Sequence, residues 1–191
     1  MSRFNYLFLK SQAMALLVFG QRGAALQRFD AMLALVPDDR YALGSLAHVR
    51  AQLGDKAGAI EALHRLVAVH PGHAAAWFNL GYLLDETGQK AEAEAAFRQA
   101  TRLEPKMDRA WYGLALILIH ERRFDEAVEA LRHNTELQPM SPYGWYQLAR
   151  VHADRHEPDE AVKIIRHLKG FEPKVAAQLE RETGLRIAPS A

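Results

Sequence analysis

Residues 74–107, AAAWFNLGYLLDETGQKAEAEAAFRQATRLEPKM, decide the fold. The first half of this stretch has apolar or small residues at i, i+3, i+4 and i+7, namely Trp77, Leu80, Gly81 and Leu84. The second half has a similar face, made by Ala93, Phe97 and Ala100. Both spacings predict amphipathic helices. Gly88 ends the first helix, and Pro105 ends the second. The stretch therefore predicts a helix-turn-helix unit.

The landmarks of this unit return every 34 residues along the chain. Proline recurs at Pro37, Pro71, Pro105, Pro139 and Pro173. Alanine recurs at Ala25, Ala59, Ala93, Ala127 and Ala161. Tryptophan recurs at Trp77, Trp111 and Trp145, with Leu43 and Leu9 at the two earlier positions. A fixed period of this size is typical of stacked helical repeats.

The unit resembles a tetratricopeptide repeat (TPR), because its Trp, Leu, Gly, Ala, Phe and Pro landmarks occupy that family's signature positions. Extending the period gives five repeats, at 6–39, 40–73, 74–107, 108–141 and 142–175. The chain departs from the signature at Gln12, where leucine is usual, and at Arg122 and His156, where glycine usually forms the turn. The resemblance implies an all-α fold, a right-handed superhelical α-solenoid of helix-turn-helix repeats.

Packing inside a repeat follows from residue size. We expect Gly81 and Ala93 to let the two helix backbones approach, while Trp77 and Phe97 fill the remaining space. Trp77 is therefore predicted to be buried.

The two ends of the array are predicted to differ. Residues 174–184 read as a capping helix, with Val175 and Leu179 turned inward and Gly184 as its stop, and residues 185–191 read as a flexible tail. Residues 1–5 form a short N-terminal extension, too short for a cap. Leu7, Leu16 and Val18 are therefore candidates for exposed apolar surface, a hint of self-association.

Composition excludes several classes of function. Lys and Arg number 24 against 23 Asp and Glu, for a net charge of +1, which disfavours nucleic acid as a partner. Cysteine is absent, so thiol chemistry is excluded. The apolar run 13–19 is too short for membrane insertion. Cleavage of a signal peptide after Ala25 would cut through the first repeat, so the default localisation is cytoplasmic.

The resemblance also implies a concave groove lined by the first helix of each repeat, with another protein as the partner. Its partner-facing positions carry aromatic and polar side chains, namely Tyr41, His48, Phe78, Tyr82, Asp85, Arg109, Tyr112, Tyr143, Tyr146 and Arg150. Phe78, Tyr112 and Tyr146 are one period apart and predict an aromatic ladder. Tyrosine is enriched at recognition surfaces, although the same rings also suit packing between repeats.

The carboxylate clamp of some chaperone-binding TPR proteins, made of lysine, asparagine and arginine, is missing. The equivalent positions hold Lys10, Met14, Gly44, His48, Phe78, Tyr82, Tyr112, Leu116, Tyr146 and Arg150. No three consecutive repeats retain more than one matching basic residue, so a co-chaperone of that type is disfavoured.

Candidate chemistry is sparse. His152 and His156 have the i, i+4 spacing that can hold a metal, but they lack a third ligand, and each has a structural explanation. His64, His70 and His73 form a second weak cluster around Pro71. No phosphate-binding loop or nucleophile motif is present, so we predict no catalytic residues, no cofactor and no metal.

The sequence therefore predicts a non-catalytic adaptor or scaffold that binds an extended peptide or helix of a partner in the aromatic groove. The alternative is a structural protein that forms homo-oligomers through its repeat ends. A metal-binding accessory protein is the third hypothesis.

Overall fold

A computed structural model describes residues 3–185 of the chain. Over this range the chain is all-α, with eleven helices and no strand. The helices are α1 (Arg3–Val18), α2 (Arg22–Leu35), α3 (Arg40–Gln52), α4 (Lys56–Val69), α5 (Ala74–Glu86), α6 (Lys90–Leu103), α7 (Asp108–His120), α8 (Phe124–Leu137), α9 (Pro142–Asp154), α10 (Pro158–Lys169) and α11 (Pro173–Thr183).

These helices belong to two compact units. Unit 1 ends at Leu103 and contains α1–α6, and unit 2 begins at Glu104 and contains α7–α11. Inside each unit every helix packs on the next one along the chain, and in unit 2 α11 also contacts α9. Each predicted repeat contains one helix pair, so the prediction of an all-α TPR architecture is confirmed.

The turn inside each helix pair uses a left-handed residue. Gly20, Gly54 and Gly88 have φ of 71°, 83° and 83°, and Arg122 and His156 both have φ of 59°. A side chain at positive φ is uncommon because its Cβ crowds the backbone. The two non-glycine residues therefore keep the turn geometry of the family without its preferred residue.

The 34-residue alanine series lies at the helix contacts of both units. Ala25, Ala59, Ala93, Ala127 and Ala161 are all 0% exposed. In α5, a Cβ added to Gly81 would lie 2.9 Å from Cδ1 of Phe97 on α6, closer than real Cβ contacts. The absence of a side chain at Gly81 therefore makes room for the Phe97 ring against the α5 backbone, and Phe97 is one of the two rings predicted to fill the space between the helices.

The tryptophans lie at the start of the first helices and are half-buried. The prediction that Trp77 is buried is therefore wrong in degree. Its indole Nε1–H reaches back to the Pro71 carbonyl oxygen at 2.8 Å, and Trp111 and Trp145 make the same bond at 2.9 Å to Pro105 and Pro139. An indole that bonds the preceding turn lies at the edge of the helix pair, which leaves part of the ring in solvent.

A buried polar side chain, that of Asn134, interrupts the apolar pattern of unit 2. Asn134 on α8 is buried, and its Nδ2 donates to the Asp108 carbonyl at 3.0 Å. Its Oδ1 occupies the space beside Gly144 on α9, where an added Cβ would lie only 2.1 Å from it. Asn134 is one period after Ala100, and Gly144 is one period after Ala110. The larger side chain on α8 is thus matched by a smaller residue on α9.

The C-terminal helix follows the prediction closely. α11 begins at Pro173, and Gly184, with φ of 72°, ends it. The buried residues are Ala176 and Leu179, whereas Val175 is only partly buried. Leu179 is therefore buried as predicted, whereas Ala176 takes the inward place predicted for Val175. Residues 186–191 of the predicted tail lie outside the described residues.

At the other end, helix α1 starts upstream of the first predicted repeat. It includes residues 3–5 of the predicted extension, while residues 1 and 2 lie outside the described range. Three of its apolar residues are largely exposed, Phe4 at 73%, Leu7 at 54% and Val18 at 80%. Leu16 is half-buried. Of the three residues predicted as exposed apolar surface, Leu7 and Val18 are the ones that solvent reaches most.

Candidate partner-binding surfaces

The first helices of unit 1 form a surface with two adjoining cavities. The first cavity, of about 520 Å³, is lined by Leu17, Arg40, Tyr41, Gly44, Ser45, His48, Val49 and His73. The second, of about 360 Å³, includes Gly44, His48, Gln52, Lys56, Asn79, Tyr82 and Glu86. Three predicted site residues, Tyr41, His48 and Tyr82, therefore lie on this surface, with His48 shared by both cavities.

Tyr41 is held by residues of the first repeat. The Lys10 ammonium lies 3.9 Å from the centroid of the Tyr41 ring, a cation–π arrangement. The Tyr41 hydroxyl donates to Sδ of Met14 at 2.9 Å, and Phe29 meets the ring edge-on with centroids 6.3 Å apart. The ring is therefore fixed in place while it remains part of the cavity wall.

Tyr82 is 52% exposed and belongs to a charged group at the second cavity. Its hydroxyl donates to Oε1 of Glu86 at 2.9 Å, and Lys56 lies 3.2 Å from Oε2 of the same carboxylate. The hydrogen bond from Tyr82 and the nearby Lys56 lower the pKa of Glu86, and the bond to Glu86 raises the pKa of Tyr82. Both cavity-wall groups therefore keep their ordinary charges at neutral pH.

Phe78 lies elsewhere in unit 1. Its ring packs on Phe97 with centroids 6.0 Å apart, it is half-buried, and it lines neither of the two cavities. Packing inside the repeat therefore accounts for this member of the predicted ladder.

Unit 2 carries the remaining predicted site residues. Tyr146 donates its hydroxyl to Oε2 of Glu182 on α11 at 2.6 Å, and the Arg150 guanidinium lies 5.7 Å from the Tyr146 ring centroid. The bond to Glu182 raises the pKa of Tyr146, and the same bond lowers the pKa of Glu182. Arg150 and Glu182 also line a cavity of about 510 Å³. Tyr146 therefore has a structural partner in the capping helix.

The other three predicted residues of unit 2 are Tyr112, Tyr143 and Arg109. Tyr112 is half-buried, and its hydroxyl has no hydrogen-bond partner within residues 3–185. Tyr143 is 70% exposed, and Arg109 is also exposed. The structure places the Arg150 guanidinium over the ring of Tyr146.

The histidines have local partners. His152 is buried, and its Nδ1 lies 2.7 Å from Oε2 of Glu157, which also meets Arg155 at 2.8 Å. His70 contacts the Asp38 carbonyl at 2.8 Å, and burial, with Arg40 and His70 nearby, lowers the pKa of His73. Across the described part of the chain, no three His, Asp or Glu side chains are grouped to hold a metal ion.

Sequence reasoning missed Arg40, Gly44 and His73 as cavity residues. Gly44 could have been predicted from the sequence, because it stands one period before Phe78 and has no side chain to continue the aromatic ladder. Arg40 opens α3 and His73 precedes α5, so their positions depend on how the chain enters each helix. The pattern of inward helix positions does not contain that information.

Comparison with known proteins agrees with the helix pattern. The tetratricopeptide-repeat family profile matches residues 11–63, 45–106 and 83–133, which together span more than half of the chain. The chain belongs to the tetratricopeptide-repeat family. Proteins of this family generally act as scaffolds for protein interactions. No curated protein sequence is a significant match to this TPR chain.

Several solved structures share the fold. A crystal structure of MamA is 21% identical, covers 97% of this chain and 98% of its own, and has a TM-score of 0.82. MamA from Desulfovibrio magneticus RS-1 is 20% identical, with coverages of 93% and 96% and a TM-score of 0.76. YrrB, described as a TPR protein with an unusual peptide-binding site, is 18% identical, with coverages of 88% and 88% and a TM-score of 0.78. At these identities the likeness concerns the fold alone.

Hydropathy adds one finding. None of the helices in residues 3–185 has both the length and the apolar character needed to cross a membrane.

Proposed function

We propose that this TPR chain is a non-catalytic scaffold that binds a segment of another protein on the first-helix surface of unit 1. The observation that carries the proposal is the pair of adjoining cavities lined by Tyr41, His48 and Tyr82. Rings beside open cavities offer apolar contact area to a ligand at little cost in side-chain entropy. Membership of a family of interaction scaffolds, and the peptide-binding site ascribed to YrrB, support the same function.

The test is affinity capture of partners from the source cell with four versions of the full chain. These are the wild type, Tyr41→Ala/Tyr82→Ala, Tyr112→Ala/Tyr146→Ala, and Val69→Ala. Val69 is an exposed apolar residue of α4, the second helix of its repeat. Its variant is therefore a matched control that leaves the first-helix surface unchanged. We expect a partner that is retained by Val69→Ala and lost from the Tyr41/Tyr82 variant.

Equal capture by all four proteins would refute binding at the first-helix positions. Loss from the Tyr112/Tyr146 variant alone would place the binding surface in unit 2. Because Tyr146 also holds the capping helix through Glu182, the thermal melt of that variant must be compared with the wild type before its result is used.

A second candidate function is self-association, favoured by the apolar surface of α1. Phe4, Leu7 and Phe8 on α1 are 73%, 54% and 54% exposed, and Phe19, just after the helix, is 77% exposed. Phe4, Leu7 and Phe8 stand at i, i+3 and i+4 and so share one face of α1. Exposed apolar side chains on one face typically mark an interaction surface. Light scattering across a concentration series is the test, with Phe4→Ser/Phe8→Ser as the variant. A mass that stays monomeric at high concentration in the wild type would exclude this function.

A further inference from the structure

Gly44 leaves a gap at a position that carries a large side chain in the other repeats. Lys10, Gly44, Phe78, Tyr112 and Tyr146 are successive members of one 34-residue series. A Cβ added at Gly44 would meet only Cδ2 of Leu66, at an ordinary contact distance of 3.8 Å. Both cavities of unit 1 include Gly44. The space at this point therefore results from the missing side chain.

The larger cavity, which we name the Gly44 pocket, has three apolar or aromatic side chains in its wall. These are Leu17, Val49 and the ring of Tyr41. The volume of about 520 Å³ falls within the range of roughly 300–1,000 Å³ that is usual for ligand pockets. A large apolar or aromatic side chain is the kind of group that such a space accepts.

The rim of the Gly44 pocket is cationic. Arg40 lines it, and Lys10 lies over the Tyr41 ring that forms its wall. Among the residues that the structure describes, neither cation has a carboxylate partner. The two nearest acids in sequence are engaged elsewhere: Asp39 accepts from the Tyr6 hydroxyl at 2.8 Å, and Asp38 faces Arg65 at 3.7 Å. The charge of the rim is therefore available to an anionic group on a ligand.

We propose that the Gly44 pocket seats one bulky apolar or aromatic side chain of a bound peptide, and that an acidic residue next to it pairs with Arg40. This inference rests on the proposed scaffold function and names the chemistry of its partner segment. The ligand is a peptide with adjacent aromatic and acidic residues, because the pocket wall includes Leu17, Val49 and the Tyr41 ring and the charge at its rim is positive. A basic peptide would meet like charge at Arg40 and Lys10.

The test titrates three dipeptide probes into the ¹⁵N-labelled full chain and follows the amide signals of Gly44, Ser45 and His48. The probes are acetyl-Trp-Glu-amide, acetyl-Trp-Lys-amide and acetyl-Ala-Glu-amide. We expect the Trp-Glu probe to bind about two- to fivefold more tightly than Trp-Lys, which is the usual effect of one solvent-accessible ion pair. Against Ala-Glu we expect a difference of about tenfold or more, because the indole is lost.

Two variants and one control locate the binding. Gly44→Phe fills the pocket and should abolish the shifts, whereas the control Val69→Ala changes an exposed apolar residue of α4 that lines neither cavity and should bind as the wild type does. Arg40→Glu removes the proposed partner of the acidic residue at an exposed position and, with Lys10 still present, leaves the rim without net charge, so the preference for Trp-Glu over Trp-Lys should be lost. If Gly44→Phe fails to fold, judged by its thermal melt, Arg40→Glu decides the question alone.

Several results would overturn the proposal. These are the absence of shifts at the three amides with every probe, unchanged Trp-Glu binding by folded Gly44→Phe, and an unchanged preference in Arg40→Glu. Shifts of the same amides that grow with protein concentration without any probe would assign the pocket to a second copy of the chain.

Different results would refute the scaffold function and the binding of a peptide in the Gly44 pocket. A captured partner that wild type and folded Gly44→Phe retain equally would leave the scaffold function standing and overturn the pocket. Probe binding without any captured partner would leave the pocket standing and count against the scaffold function.

Discussion

The pairing of Asn134 with Gly144 makes a prediction that a double-mutant cycle can test. Replacement of Gly144 by alanine places a Cβ 2.1 Å from Oδ1 of Asn134, a distance that real atoms do not adopt. The Asn134 side chain must therefore move and weaken its bond to the Asp108 carbonyl. Crowding of this kind costs about 1–3 kcal/mol, and the lost bond costs about 0.5–1.5 kcal/mol. The better helix propensity of alanine returns about 0.5–1 kcal/mol.

These terms leave Gly144→Ala less stable by about 2 kcal/mol. Asn134→Ala alone loses one buried hydrogen bond and should cost about 1 kcal/mol. In the double variant the new Cβ occupies the space that Asn134 has vacated, so the crowding disappears. We therefore expect the double variant to be destabilised by less than about 0.5 kcal/mol, because the helix propensity of alanine offsets most of the lost bond. This is well below the sum of the two single changes, about 3 kcal/mol, and implies a coupling energy of about 2–3 kcal/mol.

Urea denaturation followed by far-ultraviolet circular dichroism measures the four free energies of unfolding. The four m-values must agree, because repeat arrays can unfold in parts and only a shared transition makes the values comparable. Additivity within about 0.3–0.5 kcal/mol would mean that the two side chains do not interact, and it would refute the packing described for α8 and α9. A Gly144→Ala variant as stable as the wild type would do the same.

Three further predictions follow from single residues. Trp77→Ala should lower stability by about 2–3 kcal/mol, less than the roughly 3–5 kcal/mol of a fully buried ring, and a thermal melt that includes Trp77→Phe separates the loss of the indole N–H. Arg122 has a φ of 59°, so Arg122→Gly should raise stability by about 0.5–1 kcal/mol, whereas Gly88→Ala, at a φ of 83°, should lower it by about 1 kcal/mol. The urea midpoints of the two variants measure both changes. Because the pKa of His73 is lowered in the folded chain, the unfolded chain binds this proton at a higher pH, and the free energy of unfolding should fall as the pH drops below about 6.5. In paired urea titrations, His73→Gln should lose less stability than the wild type between about pH 7 and pH 5.5.

The repeat period predicted the fold well because it reports requirements that every repeat must meet. A fully buried alanine and a left-handed turn residue are needed at each helix contact, and Ala93 and Gly88 show the two positions. The same period predicted that Arg122 and His156 stand at turn positions, and both adopt positive φ. Even the capping helix was recognisable from Pro173 and Gly184, its first and last signals.

Features that depend on a neighbouring repeat were harder to predict. The bond between Tyr146 and Glu182 depends on how α11 lies against α9, and the sequence of either helix alone does not determine that orientation. In α11, Leu179 is buried as predicted, but Ala176 and not Val175 is the second buried residue. A terminal helix has no following repeat whose signature would define that second position. The residues at the cavity rims, such as Arg40, were missed because they enter from helix ends.

Three helical glycines show how the occupant of a gap determines its role. Beside Gly81 the space is filled by Phe97, and beside Gly144 it is filled by Asn134, so both gaps belong to the packed interior. Beside Gly44 the nearest side chain is Leu66, at a contact distance that leaves room for more atoms, and the space is continuous with two cavities on the surface of unit 1. Gly81 and Gly144 therefore contribute to packing, whereas the gap beside Gly44 is the place where we propose that a ligand binds. Substitution by a large side chain should therefore destabilise the chain at Gly81 and Gly144, and at Gly44 it should block binding while the fold is kept.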